Sequence, residues 1–294
     1  TPQDSSAPGV PVDRAVRLFV LAAAWLVGST AASLLLFPHR TAEYFAWTIQ
    51  PPLSAAWLGS GYASAFLALW LARSRRDWRD IRIGVAVVAT GLIAILAATL
   101  LHLDRFHWSS PHAGARLWAW AWLGWYVLLL PALGFTLWRQ RRLGAAVAAA
   151  QTAMAGGVHL HRAWRVAAGL TALLLLGYGA FLFLWPFLAA QTWPWSLTPL
   201  TARMVGAWWV GFGVALAFAA ASALATRIAV AAPAFVLFAL LGSINLLRFG
   251  DALSGPGPQW PVLGLLGLIG GLGLAALPRT RATRTGGDSA ARRF

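Results

Sequence analysis

The stretch "HLDRFHWSSPH" (102–112) holds the densest set of groups able to do chemistry: His102, Asp104, His107 and His112. Imidazoles and a carboxylate of this kind suit Zn, Cu or another divalent metal, and a histidine at a helix end also suits haem iron. The spacing speaks against a ready-made helical pair, because His102 and His107 lie five apart and do not share a face as an i, i+4 pair would. Metal or haem ligation centred on His102 therefore competes with a solvated loop of incidental histidines.

A second set is aromatic. The stripe "LWAWAWLGWY" (117–126) and "AWW" (207–209) could stack a flat lipophilic ligand such as a quinone, although an interfacial aromatic belt accounts equally well for Trp118 and Trp120. Trp208 and Trp209 lie deeper in their span. With Trp47, Trp57 and Trp195 they are the candidates for lining a pocket. Arg203, Arg105 and Arg248 are candidate receptors for an anionic headgroup or carboxylate, with snorkelling to the interface as the alternative.

What is absent narrows the chemistry further. The chain has no cysteine, which removes thiolate metal sites, Fe–S clusters and thiol nucleophiles, and all 23 basic residues are arginine, which removes Schiff-base chemistry. The eight acidic residues fall in loops, tails or span ends, leaving no carboxylate at mid-membrane for ion coupling. No serine has a histidine or carboxylate beside it at depth. A catalytic role is thus disfavoured, and no cofactor is required by the residues.

The elements that must position these groups are membrane helices. Apolar residues make up 59% of the 294 and charged ones 11%, against about 45–50% and about 25% in soluble domains. Runs of the length that crosses a hydrocarbon core of about 30 Å are expected at 18–37, 52–72, 82–103, 117–138, 166–185, 202–225, 228–247 and 260–278. Eighteen of the 23 arginines fall on one set of connections, which by the positive-inside rule places both termini in the cytoplasm. The net charge of +15 is thereby spent on orientation, and with no recognition motif nucleic acid is not an expected partner.

The phrase "WTIQPPLSAAWLG" (47–59) recurs as "WSLTPLTARMVG" (195–206) with one deletion, at Pro52. Further landmarks keep the same order: "LFP" (36–38) with "LWP" (184–186), "RI" at 82 with "RI" at 227, and "HLDRF" (102–106) with "NLLRF" (245–249). Asn245 thus occupies the place of His102, and Arg203 the place of Ala56. An even number of spans per unit gives parallel repeats. Each unit has a proline ending its first helix, a short interfacial segment, a glycine-bearing second helix and an arginine at the end of the third. In this order of elements it resembles the DoxX-like group of small bacterial membrane proteins. The resemblance implies a four-helix fold and no particular activity.

The expectation is an all-α integral membrane protein of eight transmembrane helices, built as two tandem parallel four-helix repeats, in the cytoplasmic membrane of a bacterium. It comprises a disordered tail (1–13), a first repeat (14–142), a cytoplasmic linker (143–161), a second repeat (162–278) and a basic disordered tail (279–294). The segment 41–49 is expected to lie at the headgroup boundary. The functional expectation is a non-catalytic scaffold or accessory subunit, or a binder of a lipophilic ligand, with its site between the repeats at the extracytoplasmic side. Its partners would be membrane lipids and other membrane protein subunits. A transporter for an apolar or anionic small molecule is the second expectation. A redox or metal protein using quinone, haem or metal near His102 is the third.

Overall fold

The computed structural model describes residues 10–148, 159–222 and 228–291. Eight helices among the described residues are long and apolar enough to cross a membrane. They are α1 (Arg14–Leu36), α3 (Pro52–Ala72), α4 (Trp78–Leu100), α5 (Ala113–Ala148), α6 (Arg162–Leu184), α8 (Pro199–Ser222), α9 (Ala231–Arg248) and α10 (Trp260–Ala291). Two short helices, α2 (Thr41–Tyr44) and α7 (Pro186–Ala190), follow α1 and α6. The chain is an all-α polytopic membrane protein. α1 and α6 both stop two residues before a proline, Pro38 and Pro186, where the missing N–H and the pre-proline restriction end the ladder.

α1 and α4 begin four residues before the expected spans, because a capped polar turn precedes each apolar run. Asp13 Oδ1 accepts the Ala15 N–H (2.7 Å) and Asp77 Oδ1 accepts the Arg79 N–H (2.8 Å), satisfying donors that a helix start leaves orphaned. Asp13 also corrects the expected tail. Its own N–H donates to Gln140 Oε1 (2.9 Å), Arg139 reaches its Oδ2 (3.2 Å), and the Val12 N–H donates to Arg76 O (3.0 Å). Residues 10–13 are therefore docked on α5 and the α3–α4 turn, while residues 1–9 lie outside the described set. Asp13→Ala is expected to cost about 1–2 kcal/mol through the lost cap and ion pair, read as a lower unfolding midpoint in detergent.

Further boundaries differ at the other connections. α5 runs to Ala148, into the expected linker, and α10 runs to Ala291, through most of the tail expected to be disordered. Residues 149–158, 223–227 (with Arg227 of the "RI" landmark) and 292–294 lie outside the described residues.

The helices pack in pairs: α1 on α3, α6 on α8, α4 on α5, α9 on α10, α1 on α5 and α6 on α10. Three further pairs join the halves of the chain, α3 with α9, α8 with α4 and, less extensively, α3 with α8. Exchanging the first four spans for the last four maps these pairs onto one another. At one end of the bundle, rich in arginine, Pro11, Asp77 and Gln140 meet; at the other, rich in tryptophan, His102 meets Arg203 and Phe106 meets Trp47.

The segment 41–49 does not lie on the surface as expected. Phe45, Trp47 and Ile49 are each 2% exposed or less, and Tyr44 alone of its large side chains stays outside. Thr41 explains the inward turn, since its Oγ1 accepts the Ile49 N–H (2.9 Å) and holds the segment as a closed loop over the bundle.

Candidate functional site

The tryptophan-rich end is packed solid where a cleft between the halves was expected. Trp57 of α3 sits among second-half rings, with centroids 5.3 Å from Trp195, 6.1 Å from Trp193, 6.1 Å from Trp209 and 5.5 Å from Phe238. Most of these contacts are edge-on, the arrangement ring quadrupoles favour. Trp195 Nε1 donates to Ser54 Oγ (2.9 Å), tying the segment before α8 to the first turn of α3. Trp47 belongs to a separate group with Phe45, Phe106 and Trp122. Trp120 faces outward at 61% exposure, as a belt residue does, whereas Trp122 on the same stripe is fully buried.

The open space lies lower. A cavity of about 150 Å³ extends from mid-membrane to the arginine-rich end, a volume that in a dry apolar site accommodates one aromatic ring. It lies between the halves, bounded by α1, α3, α4 and α5 on one side and by α8 and α9 on the other. Its walls are apolar, with Phe19, Leu69, Val87, Leu129, Phe212 and Phe235 among them. α4 carries Gly84 and Gly91 on this lining, and no heavy atom lies within 4 Å of where a Cβ would sit on either.

At the mid-membrane limit of the cavity two phenols meet, Tyr62 of α3 and Tyr126 of α5, with their oxygens 3.2 Å apart. One hydroxyl donates to the other, so the accepting phenol keeps a proton for which the described residues supply no acceptor. Trp208 closes this limit, its ring edge-on to Tyr62 at 4.8 Å and lying against Gly61, where a Cβ would come within 2.9 Å of the indole. The Trp208 indole N–H is likewise buried without a partner among the described residues, so this limit brings two unpartnered donors to a mainly apolar space whose lining also includes Asp80. That combination suits a lipophilic molecule with a hydrogen-bond acceptor at one end.

The remaining candidates are scattered. Asp104 pairs with Arg105 at 3.0 Å with both side chains about 70% exposed, and the Arg248 guanidinium lies over the Phe249 ring at 4.8 Å. His107 donates from Nδ1 to Phe45 O (2.9 Å) and meets Thr48 Oγ1 through Nε2 (3.0 Å), so it fastens the loop after α4 to the segment before α3. His112 is exposed on the approach to α5. Among the described residues no three metal-ligating side chains converge. The expected set of His102, Asp104, His107 and His112 is dispersed: Asp104 turns to Arg105, His107 to the segment before α3 and His102 to α8, while His112 is exposed.

His102 and Asn245 instead mark one contact made twice. Asn245 Nδ2 donates to Ala56 O (3.2 Å) and Ser60 Oγ (3.0 Å), and the residue is 3% exposed. His102 Nε2 lies 2.6 Å from Arg203 Nη1, and Arg203 Nε donates to Phe183 O (3.1 Å) in the last turn of α6. Burial, together with the Arg203 charge, pushes the His102 imidazole below its ordinary range, with Asp104 opposing.

Tyr62, Trp193 and Phe238 were not singled out from the sequence, and Tyr126 entered only as the last residue of the aromatic stripe 117–126. A usable signal existed for Tyr62, since a tyrosine ten residues inside a span is far from the interface that the residue ordinarily occupies. Comparison with family models, with curated proteins and with solved structures found no match to this chain, so the likeness to the DoxX-like unit rests on the order of its elements.

Proposed function

We propose that this protein is a non-catalytic membrane protein that binds a lipophilic ligand in the cavity between its two halves. The observation that carries the reading is the apolar space bounded by both halves and limited at mid-membrane by Tyr62 and Tyr126. The ligand is a molecule with a ring-sized apolar part and a hydrogen-bond acceptor, such as a carbonyl or ether oxygen, facing the phenols and Trp208. The site lies deeper than the extracytoplasmic cleft first expected, because tryptophan fills that cleft.

Two further proposals support this frame. The matched landmarks and the exchangeable packing pairs favour a duplicated four-helix unit, and the arginine asymmetry favours cytoplasmic termini. The tryptophan-rich end then faces outward. Exposed apolar side chains such as Trp25, Leu117 and Leu247 suit contact with lipid or with another membrane subunit.

The test is native mass spectrometry of the protein released from mild detergent, with solvent extraction of whatever it carries. A single lipophilic species is expected on the wild type and is expected to be lost on Gly91→Leu, which fills the cavity from a position with room for it. Replacing both Tyr62 and Tyr126 by Phe, which removes the phenol donor whichever ring holds the free proton, is expected to weaken retention about tenfold, the loss of one hydrogen bond worth about 1.4 kcal/mol. A wild-type protein that carries nothing, and whose melting is the same with and without added membrane lipid extract, sinks the proposal. Gradient-driven uptake into liposomes would favour the transporter instead.

A further inference from the structure

The two halves differ most in charge at one equivalent contact. In one copy a neutral asparagine, Asn245, closes onto the backbone of α3 at Ala56. In the other the partners are His102 and Arg203, one titratable group and one permanent cation. A guanidinium only donates, so His102 Nε2 accepts, and the ring is neutral with its proton on Nδ1. Arg203 is half-buried, and among the described residues no carboxylate lies within 4 Å of it. Asp104, two residues beyond His102, is engaged with Arg105.

A half-buried guanidinium whose neighbours are a carbonyl and an imidazole has hydrogens to spare and no counter-charge. We propose that Arg203 and His102 form an anion site at the tryptophan-rich end that takes a phosphate or carboxylate group. The anion accepts from Arg203 and, once the histidine is protonated, from the same Nε2 that otherwise accepts from Arg203. The charged groups that face His102 are Arg203 of α8 and, on its own turn, Asp104 and Arg105. Arg203 opposes protonation while no anion is present. An anion between the two cations removes that opposition, so anion and proton bind with mutual support.

The sign is then fixed. Without anion, His102 holds its proton less tightly than an unfolded histidine, so its contribution to stability is present above about pH 6.5 and is lost as pH falls from there toward its depressed value. With anion bound, the midpoint moves back upward.

The site uses residues separate from the cavity, so either proposal can fail alone. The experiment follows the His102 ring resonances against pH, assigned by their disappearance in His102→Asn. It compares protein in neutral detergent with and without inorganic phosphate, and in nanodiscs of phosphatidylcholine with and without phosphatidylglycerol. A rise of about one pH unit in the His102 midpoint is expected, corresponding to tenfold tighter anion binding on protonation. A rise with inorganic phosphate identifies a soluble anion; a rise with phosphatidylglycerol alone identifies a lipid headgroup. Arg203→Gln is expected to abolish the rise. His102→Asn installs the residue of the other half and is expected to keep the fold and weak phosphate binding while removing its pH dependence. A midpoint indifferent to both anions, or a rise that survives Arg203→Gln, overturns the proposal.

Discussion

Replacing Gly206 by alanine is expected to destabilise the protein by about 2–3 kcal/mol, although alanine is the better helix former by about 1 kcal/mol. α6 and α8 cross at Gly179 and Gly206, backbone against backbone. A Cβ on Gly206 would lie 2.6 Å from Gly179 O and 3.1 Å from both Leu182 Cβ and Phe183 N. A carbonyl oxygen within a helix cannot rotate aside, so the helices must separate. In lipid their association rests on close packing, with no hydrophobic drive between them. Separation would also draw Arg203, one turn away on α8, from Phe183 O. The matched control is Gly59→Ala on α3, where the nearest atom is Leu35 Cγ at 2.9 Å, part of a side chain that can change rotamer. Leu34 Cβ lies at 3.1 Å as Leu182 Cβ does at Gly206, but no backbone atom is among the close neighbours, so the effect is expected to stay within about 1 kcal/mol of wild type as propensity offsets the adjustment. Unfolding in mixed micelles measures both; equal losses at the two glycines would show that the crossing is not backbone-limited.

Trp57→Ala is expected to cost about 3 kcal/mol or more, the lower part of the range for an aromatic truncated in a core. Trp57 is 2% exposed and is the first-half ring inserted among Trp193, Trp195, Trp209 and Phe238. Removing it strips dispersion contacts from four second-half side chains at once. The loss falls on the contact between halves, so limited proteolysis is expected to cut the connection between α5 and α6 sooner in the variant. Trp57→Phe, which keeps a ring in place, is expected to lose less than half as much. An alanine variant that melts with the wild type would remove the aromatic cluster as the joint between halves.

The helices were legible because crossing a membrane demands long apolar runs, and each expected span overlaps an observed helix. Their starts were less so: Asp13 and Asp77 extend α1 and α4 by a polar turn that hydropathy does not count. The candidate site was legible only in pieces. Trp208 was picked from its depth, and it does border the cavity. Trp47, Trp57, Trp195 and Trp209, picked as pocket residues, lie buried in ring clusters at the tryptophan-rich end. In a membrane protein the core and the lipid-facing surface are both apolar, so a tryptophan's type does not say which one it faces.

By itself the sequence determined the class, the number of spans, the punctuation by Pro38 and Pro186, and the recurrence that pairs His102 with Asn245 and Ala56 with Arg203. These follow from composition and order along the chain. Only the tertiary structure decided that His102 touches Arg203 and Asn245 touches Ala56, contacts between residues 101 and 189 positions apart. It alone decided that rings pack together at the tryptophan-rich end while open space lies toward the arginine-rich end. A cavity is the volume that packed helices fail to fill, and its place depends on the mutual arrangement of six helices that no local pattern records.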